Sequence, residues 1–92
     1  MAYTEIYFKD WCPYSQRALA LLDSKGIDYK AIDLTEDADD LEHEMRARTG
    51  RTSVPQVFVD GQHLGGYDDI AALDAEGKLD PLLFRTDVSD AA

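Results

Sequence analysis

The chain has 92 residues, enough for one small domain, and its hydrophobic fraction of 45% can supply a core. The net charge of −10, from 9 basic and 19 acidic residues, argues against nucleic acid and anionic membrane surfaces as main partners. No apolar run has the length of a membrane span, and the first residues show no signal-peptide pattern, so we expect a soluble, cytoplasmic protein. The single cysteine excludes an internal disulfide framework and suits a reducing compartment.

The first part of the chain predicts a strand, a helix and a second strand. Residues 5–8 carry the aromatic and branched side chains typical of a strand, and Pro13 suits the first position of a helix that ends at Lys25 and Gly26. Residues 27–32 predict the second strand, with three alternating apolar residues: Ile27, Tyr29 and Ala31. A strand–helix–strand unit of this length makes the two strands parallel.

The rest of the chain predicts a helix, a hairpin and two more helices. The next helix along the chain covers about residues 37–49 and ends at Gly50. It has a thin apolar stripe made of Leu34, Ala38, Leu41 and Met45. The hairpin joins residues 56–59 to 62–64 through Asp60-Gly61, and helices follow over about 68–76 and 80–84. We therefore expect an α/β domain over residues 1–85, ordered β-α-β-α-β-β-α. Its mixed four-stranded sheet should have helices on both faces, with a flexible tail at 86–92.

Cys12 is the candidate nucleophile. It precedes a helix N-terminus that follows a strand, where unpaired N–H groups and the positive end of the helix dipole favour a thiolate. Lys9 and Arg17 add positive charge in an otherwise acidic chain. The alternative is that Cys12 is a small buried hydrophobe, as many free cysteines are. His43 and His63 lie on separate predicted elements, so we expect no mononuclear metal site.

Three stretches resemble glutaredoxins. WCPYS at residues 11–15 resembles the active-site loop of that family, whose dithiol members carry Cys-Pro-Tyr-Cys. TSVP at 52–55 resembles its Thr-Val-Pro segment, with Ser53 replacing the threonine, and GGYDD at 65–69 resembles its Gly-Gly-x-Asp-Asp segment. The resemblance covers about residues 3–84 and is strongest to the small bacterial members. It implies a thioredoxin-like fold and a glutathione-dependent oxidoreductase.

The resemblance also implies a groove that binds glutathione. It implies a cis Val54-Pro55 bond, with Val54 offering its backbone to the peptide part of glutathione beside Cys12. The remaining residues implied to line the groove or bind glutathione are Lys9 and, as a weaker candidate, Arg51 at the glycine carboxylate, Tyr14 next to the sulfur, and Gly66, Tyr67 and Asp68 at the γ-glutamyl end. Each has a simpler interpretation: Val-Pro as a strand start, Asp68 and Asp69 as helix caps, and Arg51 as a solvated side chain.

Six acidic residues form one cluster, which we interpret as a solvated helix face away from the groove: Glu36, Asp37, Asp39, Asp40, Glu42 and Glu44. Glutathione is itself negatively charged. We therefore expect a local positive patch to attract it, supplied by Lys9, Arg17, Arg51 and two helix N-termini.

Ser15 stands where the dithiol pattern has its second cysteine. Without a second sulfur the chain cannot form an internal disulfide, so we expect a monothiol reaction with glutathionylated proteins, carried out by a monomer. Ser15 is compatible with a natural monothiol protein and with a Cys→Ser variant of a dithiol enzyme. Two other functions remain open. One, implied by the resemblance, is a dimeric carrier of a [2Fe–2S] cluster held by two such cysteines and two glutathiones. The strong cluster-carrying monothiol members of the family typically have Gly-Phe where Pro13-Tyr14 stand. The other is a non-catalytic binding module.

Overall fold

The computed structural model describes residues 2–36 and 38–84. In this part of the chain the elements are the strands β1 (Thr4–Phe8), β2 (Lys30–Asp33), β3 (Gln56–Val59) and β4 (Gln62–Gly65) and the helices α1 (Pro13–Ser24), α2 (Asp39–Thr49), α3 (Tyr67–Ala75) and α4 (Leu79–Leu83). The strands form one sheet in the order β2-β1-β3-β4. This is a thioredoxin-like α/β fold, as predicted.

The sheet is mixed, and its pairing decides which loops meet. β1 is parallel to β2 and antiparallel to β3, with Tyr7 opposite Gln56. The loop that follows β1 and the segment that precedes β3 therefore lie at the same end of these two central strands. The hairpin between β3 and β4 turns at Asp60 and Gly61, whose φ values of 51° and 80° are those of the predicted two-residue turn.

Each face of the sheet is covered by helices, which confirms that prediction. On one face, α1, α3 and α4 pack over Ile6 and Val57, in a buried cluster that also contains Ala18, Leu22, Ile27, Val59, Ile70, Leu79 and Leu83. On the other face α2 contributes Met45 to a smaller cluster with Tyr7, Ile32, Leu34, Ala38 and Phe58. Strand residues alternate between the two clusters because neighbouring side chains of a strand point to opposite faces.

The second strand differs from its prediction. It begins at Lys30 rather than Ile27, because Lys30 is the residue opposite Glu5 in the pairing with β1. Ile27 is buried before the strand starts, and within the strand the inward residue is Ile32, whereas Ala31 is exposed. The predicted alternation is therefore wrong for Ala31. β2 is an edge strand, so its bounds depend on the strand it pairs with.

The second helix also differs in detail from its prediction. It starts at Asp39, and Leu41, predicted to belong to its apolar stripe, is 38% exposed, whereas Met45 is buried. Gly50 ends the helix with a φ of 69°. Asp37 and the predicted tail at 86–92 lie outside the described residues, and the domain bounds of 1–85 stay a prediction. None of the helices in the described part of the chain is both long enough and apolar enough to cross a membrane.

Candidate active site

Cys12 lies at the N-terminus of α1, as predicted. It is the N-cap residue, Pro13 follows at the first helical position, and the N–H of Cys12 donates to the carbonyl of Lys9 at 3.1 Å. The cysteine is 9% exposed. Residues 9–15 are called the cysteine loop below. Pro13 suits this position because its missing N–H would have no partner in the first turn.

The surroundings of Cys12 favour its thiolate form. Burial raises the pKa of the thiol, but this is outweighed by hydrogen bonds from the N–H and hydroxyl of Ser15 and from the N–H of Tyr14, and by the charge of Lys9. The pKa of Cys12 is therefore below its ordinary value. Ser15 is fully buried and its Oγ also accepts a hydrogen bond from the N–H of Lys9 at 3.2 Å. The residue that replaces the second sulfur thus belongs to the environment of the first.

The segment that enters β3 faces Cys12. The Val54-Pro55 peptide bond is cis, and the carbonyl oxygen of Val54 lies 3.8 Å from Cys12 Sγ. Behind it is a cavity of about 260 Å³ lined by Tyr14, Arg51, Ser53, Val54, Pro55, Gln56, Gly66, Tyr67, Asp68 and Asp69. Residues 53–56 and 66–69 are called the facing wall below. The cavity therefore opens beside the sulfur between the cysteine loop and the facing wall.

The far end of the cavity is the start of α3. Asp69 Oδ2 accepts a hydrogen bond from the N–H of Gly66 at 2.9 Å, so Asp69 caps the helix. Asp68 is exposed and lines the cavity. A Cβ on Gly66 would stand 3.3 Å from the carbonyl oxygen of Pro55, which shows how closely two parts of the facing wall approach each other. The backbone N–H groups at this helix start suit an anionic group.

The cations near the groove already have partners in the chain. Lys9 Nζ lies 3.3 Å from Glu42 Oε2, and Arg51 Nη1 lies 3.2 Å from Asp69 Oδ2. The Arg17 guanidinium lies over the Tyr14 ring, 5.3 Å from its centre.

The Lys9–Glu42 contact corrects one prediction. The sequence predicts that the acidic cluster lies away from the site, but the parallel pairing of β1 with β2 and the return of α2 across the sheet bring one of its members, Glu42, against the cysteine loop.

Most of the predicted site residues come together. The cavity lining contains seven of them: Tyr14, Arg51, Val54, Pro55, Gly66, Tyr67 and Asp68. Cys12, Ser15 and Lys9 are not in the lining. Cys12 Sγ faces the lining residue Val54, Ser15 is buried next to Cys12, and Lys9 pairs with Glu42. Within the described ranges, no group of three or more His, Cys, Asp or Glu side chains could hold a metal ion.

Two groups near the site were not predicted. Gln56 lines the cavity and is 1% exposed, and Glu42 pairs with Lys9. Gln56 had a signal in the sequence, since it is a polar residue at the start of the apolar run Gln56–Val59 and directly follows Pro55. The Lys9–Glu42 contact had none, because the two residues are far apart in the chain.

Comparison with known proteins agrees with this geometry. The sequence model described as Glutaredoxin matches residues 4–64. The chain belongs to the glutaredoxin family. It is 55% identical to Glutaredoxin 3 of Escherichia coli K12 over 83 residues, which are 90% of this chain and 99% of that one. Members of the family are glutathione-dependent thiol–disulfide oxidoreductases, and this chain is an enzyme of that class.

Solved glutaredoxin structures have the same fold. The glutaredoxin from Brucella melitensis matches with a TM-score of 0.78 and 46% identity, over 90% of this chain and 89% of that one. A buckwheat glutaredoxin, solved as its complex with glutathione, matches with a TM-score of 0.80 and 32% identity, over 89% of this chain and 76% of that one. The resemblance seen in the three sequence motifs is thereby confirmed at the level of the family.

Proposed function

We propose that this glutaredoxin reduces protein–glutathione mixed disulfides by a monothiol route. The Cys12 thiolate attacks the glutathione sulfur of the mixed disulfide. The bond between the two substrate sulfurs breaks, the client thiolate leaves and takes a proton, and Cys12 holds glutathione in a new disulfide. The thiolate of a second glutathione then attacks the glutathione sulfur of this adduct, which releases glutathione disulfide and regenerates the Cys12 thiolate.

The observation that carries the proposal is Ser15. It is buried next to Cys12 in a chain that has one cysteine, and its hydroxyl helps to lower the pKa of that cysteine. An oxygen there can stabilise the thiolate but cannot displace a bound glutathione. The second thiol must therefore come from outside the chain. This holds whether Ser15 is natural or replaces a cysteine.

The groove supplies selectivity for the glutathionyl half of the substrate. In our proposal the backbone of Val54, beside the cis Pro55, pairs with the peptide part of glutathione, and Gly66, Tyr67 and Asp68 hold its γ-glutamyl end. The cavity beside Cys12 Sγ and the helix start at Tyr67 support this arrangement. The family match to a buckwheat protein solved with glutathione supports the choice of ligand.

The remaining binding groups lie at the edges of the groove. Tyr14 lines it next to the sulfur, and Lys9 and Arg51 are the cations available for the glycine carboxylate. Because each cation is paired with an acidic residue, glutathione must compete with Glu42 for Lys9 and with Asp69 for Arg51. We propose glutathionylated proteins as partners and a monomer as the active form; the cytoplasmic location stays a prediction.

A comparison of the protein with its Ser15→Cys variant tests the monothiol route. After treatment with glutathione disulfide, the chain with Ser15 should keep one glutathione on Cys12 until free glutathione is added. In the Ser15→Cys variant the adduct should convert to an internal disulfide, seen as a loss of two hydrogens from the intact mass. Adduct loss from the Ser15 chain without an added thiol would contradict the proposal.

The iron–sulfur carrier remains the alternative function. Pro13 at the first helical position favours the monothiol route, because it restricts the loop that would have to adapt to a cluster. Anaerobic reconstitution with iron, sulfide and glutathione separates the two functions. Visible absorption that appears together with a dimer on gel filtration would favour the carrier. A colourless monomer with rapid turnover of a glutathionylated peptide is the result we expect.

A further inference from the structure

The facing wall contains a buried side-chain contact that the reaction itself does not use. The Gln56 amide nitrogen donates to the carbonyl oxygen of Ser53 at 3.0 Å, and the Gln56 amide oxygen lies 2.6 Å from His63 Nε2. Gln56 is 1% exposed, so both ends of its amide are satisfied inside the protein. Although Gln56 lines the cavity, its polar atoms are committed to protein partners rather than to a ligand.

The hydrogen-bond partners define how the atoms of this contact are oriented. The Ser53 carbonyl can only accept, so the NH₂ group of Gln56 must face it. The amide oxygen of Gln56 then faces His63, which makes His63 Nε2 the donor. The ring of His63 is also held against Phe58, directly opposite in the hairpin, with 5.1 Å between ring centres. The histidine therefore has a defined tautomer and a defined ring position.

The hydrogen bond from Gln56 is made to Ser53, the residue before Val54. Among the described residues, Ser53, Val54 and Pro55 make no backbone–backbone hydrogen bond outside the helices and strands, and Pro55 has no N–H to donate. The Gln56 amide also approaches the Ser53 hydroxyl at 3.4 Å. The Gln56 side chain therefore fixes the position of residues 53–55, which make few other polar contacts. This segment carries the Val54 carbonyl that faces Cys12.

We propose that His63 and Gln56 are positioning residues for the glutathione groove. Through Ser53 they hold the segment of the facing wall that carries Val54 at its distance from Cys12. This inference rests on the proposed function, because it assumes that Val54 contacts the glutathionyl half of the substrate. His63 is not in the cavity lining, and both polar atoms of the Gln56 side chain face protein partners. Loss of their contact should weaken substrate binding without changing the intrinsic reactivity of the Cys12 thiolate.

The test compares three histidine variants by steady-state kinetics on a glutathionylated peptide. His63→Phe keeps an aromatic ring against Phe58 but removes the donor, and His63→Gln keeps a donor. His43→Phe makes the same change at an exposed position on α2 and is the matched control. Two further readouts accompany KM and kcat: the rate at which iodoacetamide alkylates Cys12, and the melting temperature of each variant.

The largest change should be in KM. A buried amide left without its partner should let the segment shift, and His63→Phe should raise KM by roughly three- to tenfold. Its alkylation rate should match that of the unchanged protein. His63→Gln should recover most of the change in KM, and His43→Phe should show none. Gln56→Met should resemble His63→Phe, and the two changes together should be less than additive because both break one chain of contacts.

Several outcomes would overturn the proposal. One is an unchanged KM in His63→Phe. A second is a rise of KM in His63→Gln equal to that in His63→Phe, which would assign the effect to ring packing. The third is an alkylation rate of Cys12 in His63→Phe that falls as much as kcat/KM. A failure of the proposed function would look different. In that case the unchanged protein itself would not turn over the glutathionylated peptide, although its cysteine would still be alkylated.

Discussion

The two sides of the groove are held by different kinds of contact. Around the sulfur, the cysteine loop is fixed by partners close in sequence, such as Cys12 with the Lys9 carbonyl at 3.1 Å and the Lys9 N–H with Ser15 at 3.2 Å. Only its outer part contacts distant residues, through Lys9 with Glu42 and Asp10 with Thr35. The facing wall is fixed by side chains brought together by the hairpin and α3, such as Arg51 with Asp69, 18 positions apart. The environment of the sulfur thus depends on one local turn, and the shape of the facing wall depends on the register of the sheet.

This difference separates reactivity from recognition. Contacts within the cysteine loop lower the pKa of Cys12 and so control how readily it attacks. Contacts within the facing wall shape the cavity and so control what is held next to the sulfur. We expect substitutions on the first side to change thiolate chemistry, and substitutions on the second side to change substrate affinity or folding.

Loss of the nucleophile should have the largest effect. Cys12→Ser removes the only sulfur that can attack, so turnover of a glutathionylated peptide should fall by roughly a thousandfold or more. Circular dichroism should show that the variant is folded. A folded variant that kept its activity would show that Cys12 is not the nucleophile.

Gly65→Ala, directly before residues 66–69 of the facing wall, should be the most damaging change on that side of the groove. Gly65 has a φ of +116°, and an added Cβ would lie 2.1 Å from Asp69 Oδ2, so the capping carboxylate must leave the N–H of Gly66. We expect the free energy of unfolding to fall by about 2–4 kcal/mol, measured by urea denaturation.

Gly26→Ala is the matched control for this substitution. Gly26 also has a positive φ, of +70°, but nothing lies within 4 Å of its added Cβ. It should lose only about 1 kcal/mol. Equal losses in the two variants would mean that the contact with Asp69 is unimportant and that backbone strain alone matters.

Ser15→Ala should change the chemistry of the cysteine loop alone. The variant removes a hydroxyl that favours the Cys12 thiolate, so the pKa of Cys12 should rise towards its ordinary value. The pH at which Cys12 becomes reactive should shift upward, and alkylation at neutral pH should slow by roughly three- to tenfold.

The pH dependence of alkylation and the ultraviolet absorbance of the thiolate measure the effect of Ser15→Ala. Ser24→Ala, at the exposed end of the same helix, is the control and should leave both unchanged. An unchanged or lower pKa of Cys12 in Ser15→Ala would show that the Ser15 hydroxyl does not stabilise the thiolate.

Glu42→Gln should have the smallest effect. It frees the Lys9 ammonium from a half-exposed ion pair, so KM for a glutathionylated peptide should fall by roughly two- to fivefold at low salt. The gain should vanish at high salt because exposed charges are screened. Glu36→Gln makes the same charge change at an exposed position of the acidic cluster. An equal gain in that variant would assign the effect to net charge rather than to Lys9.

The structural features that depend on residues adjacent in the chain could be predicted from the sequence. Pro13 marked the helix start behind Cys12, and Asp60-Gly61 marked the hairpin. The first and last residues of β2 could not be predicted from its own sequence, because they depend on how far β1 extends beside it.

Contacts across the fold were likewise beyond sequence reasoning. The meeting of Lys9 with Glu42 requires the placement of α2 against the sheet. The contact between Gln56 and His63 requires the hairpin register, which contains an irregularity at Val57 and Phe58. The reactivity of Cys12 could therefore be predicted from the sequence more completely than the side-chain contacts that hold the facing wall in place.

The most direct test of the account is the intact mass of the protein after treatment with glutathione disulfide, with Cys12→Ser as the control. We predict a mass gain of one glutathione in the unchanged protein and none in the variant, with full reversal by free glutathione. A peptide map should place the adduct on Cys12. An unmodified mass, or an adduct that free glutathione does not remove, would contradict the claim that one sulfur and a bound glutathione carry the reaction.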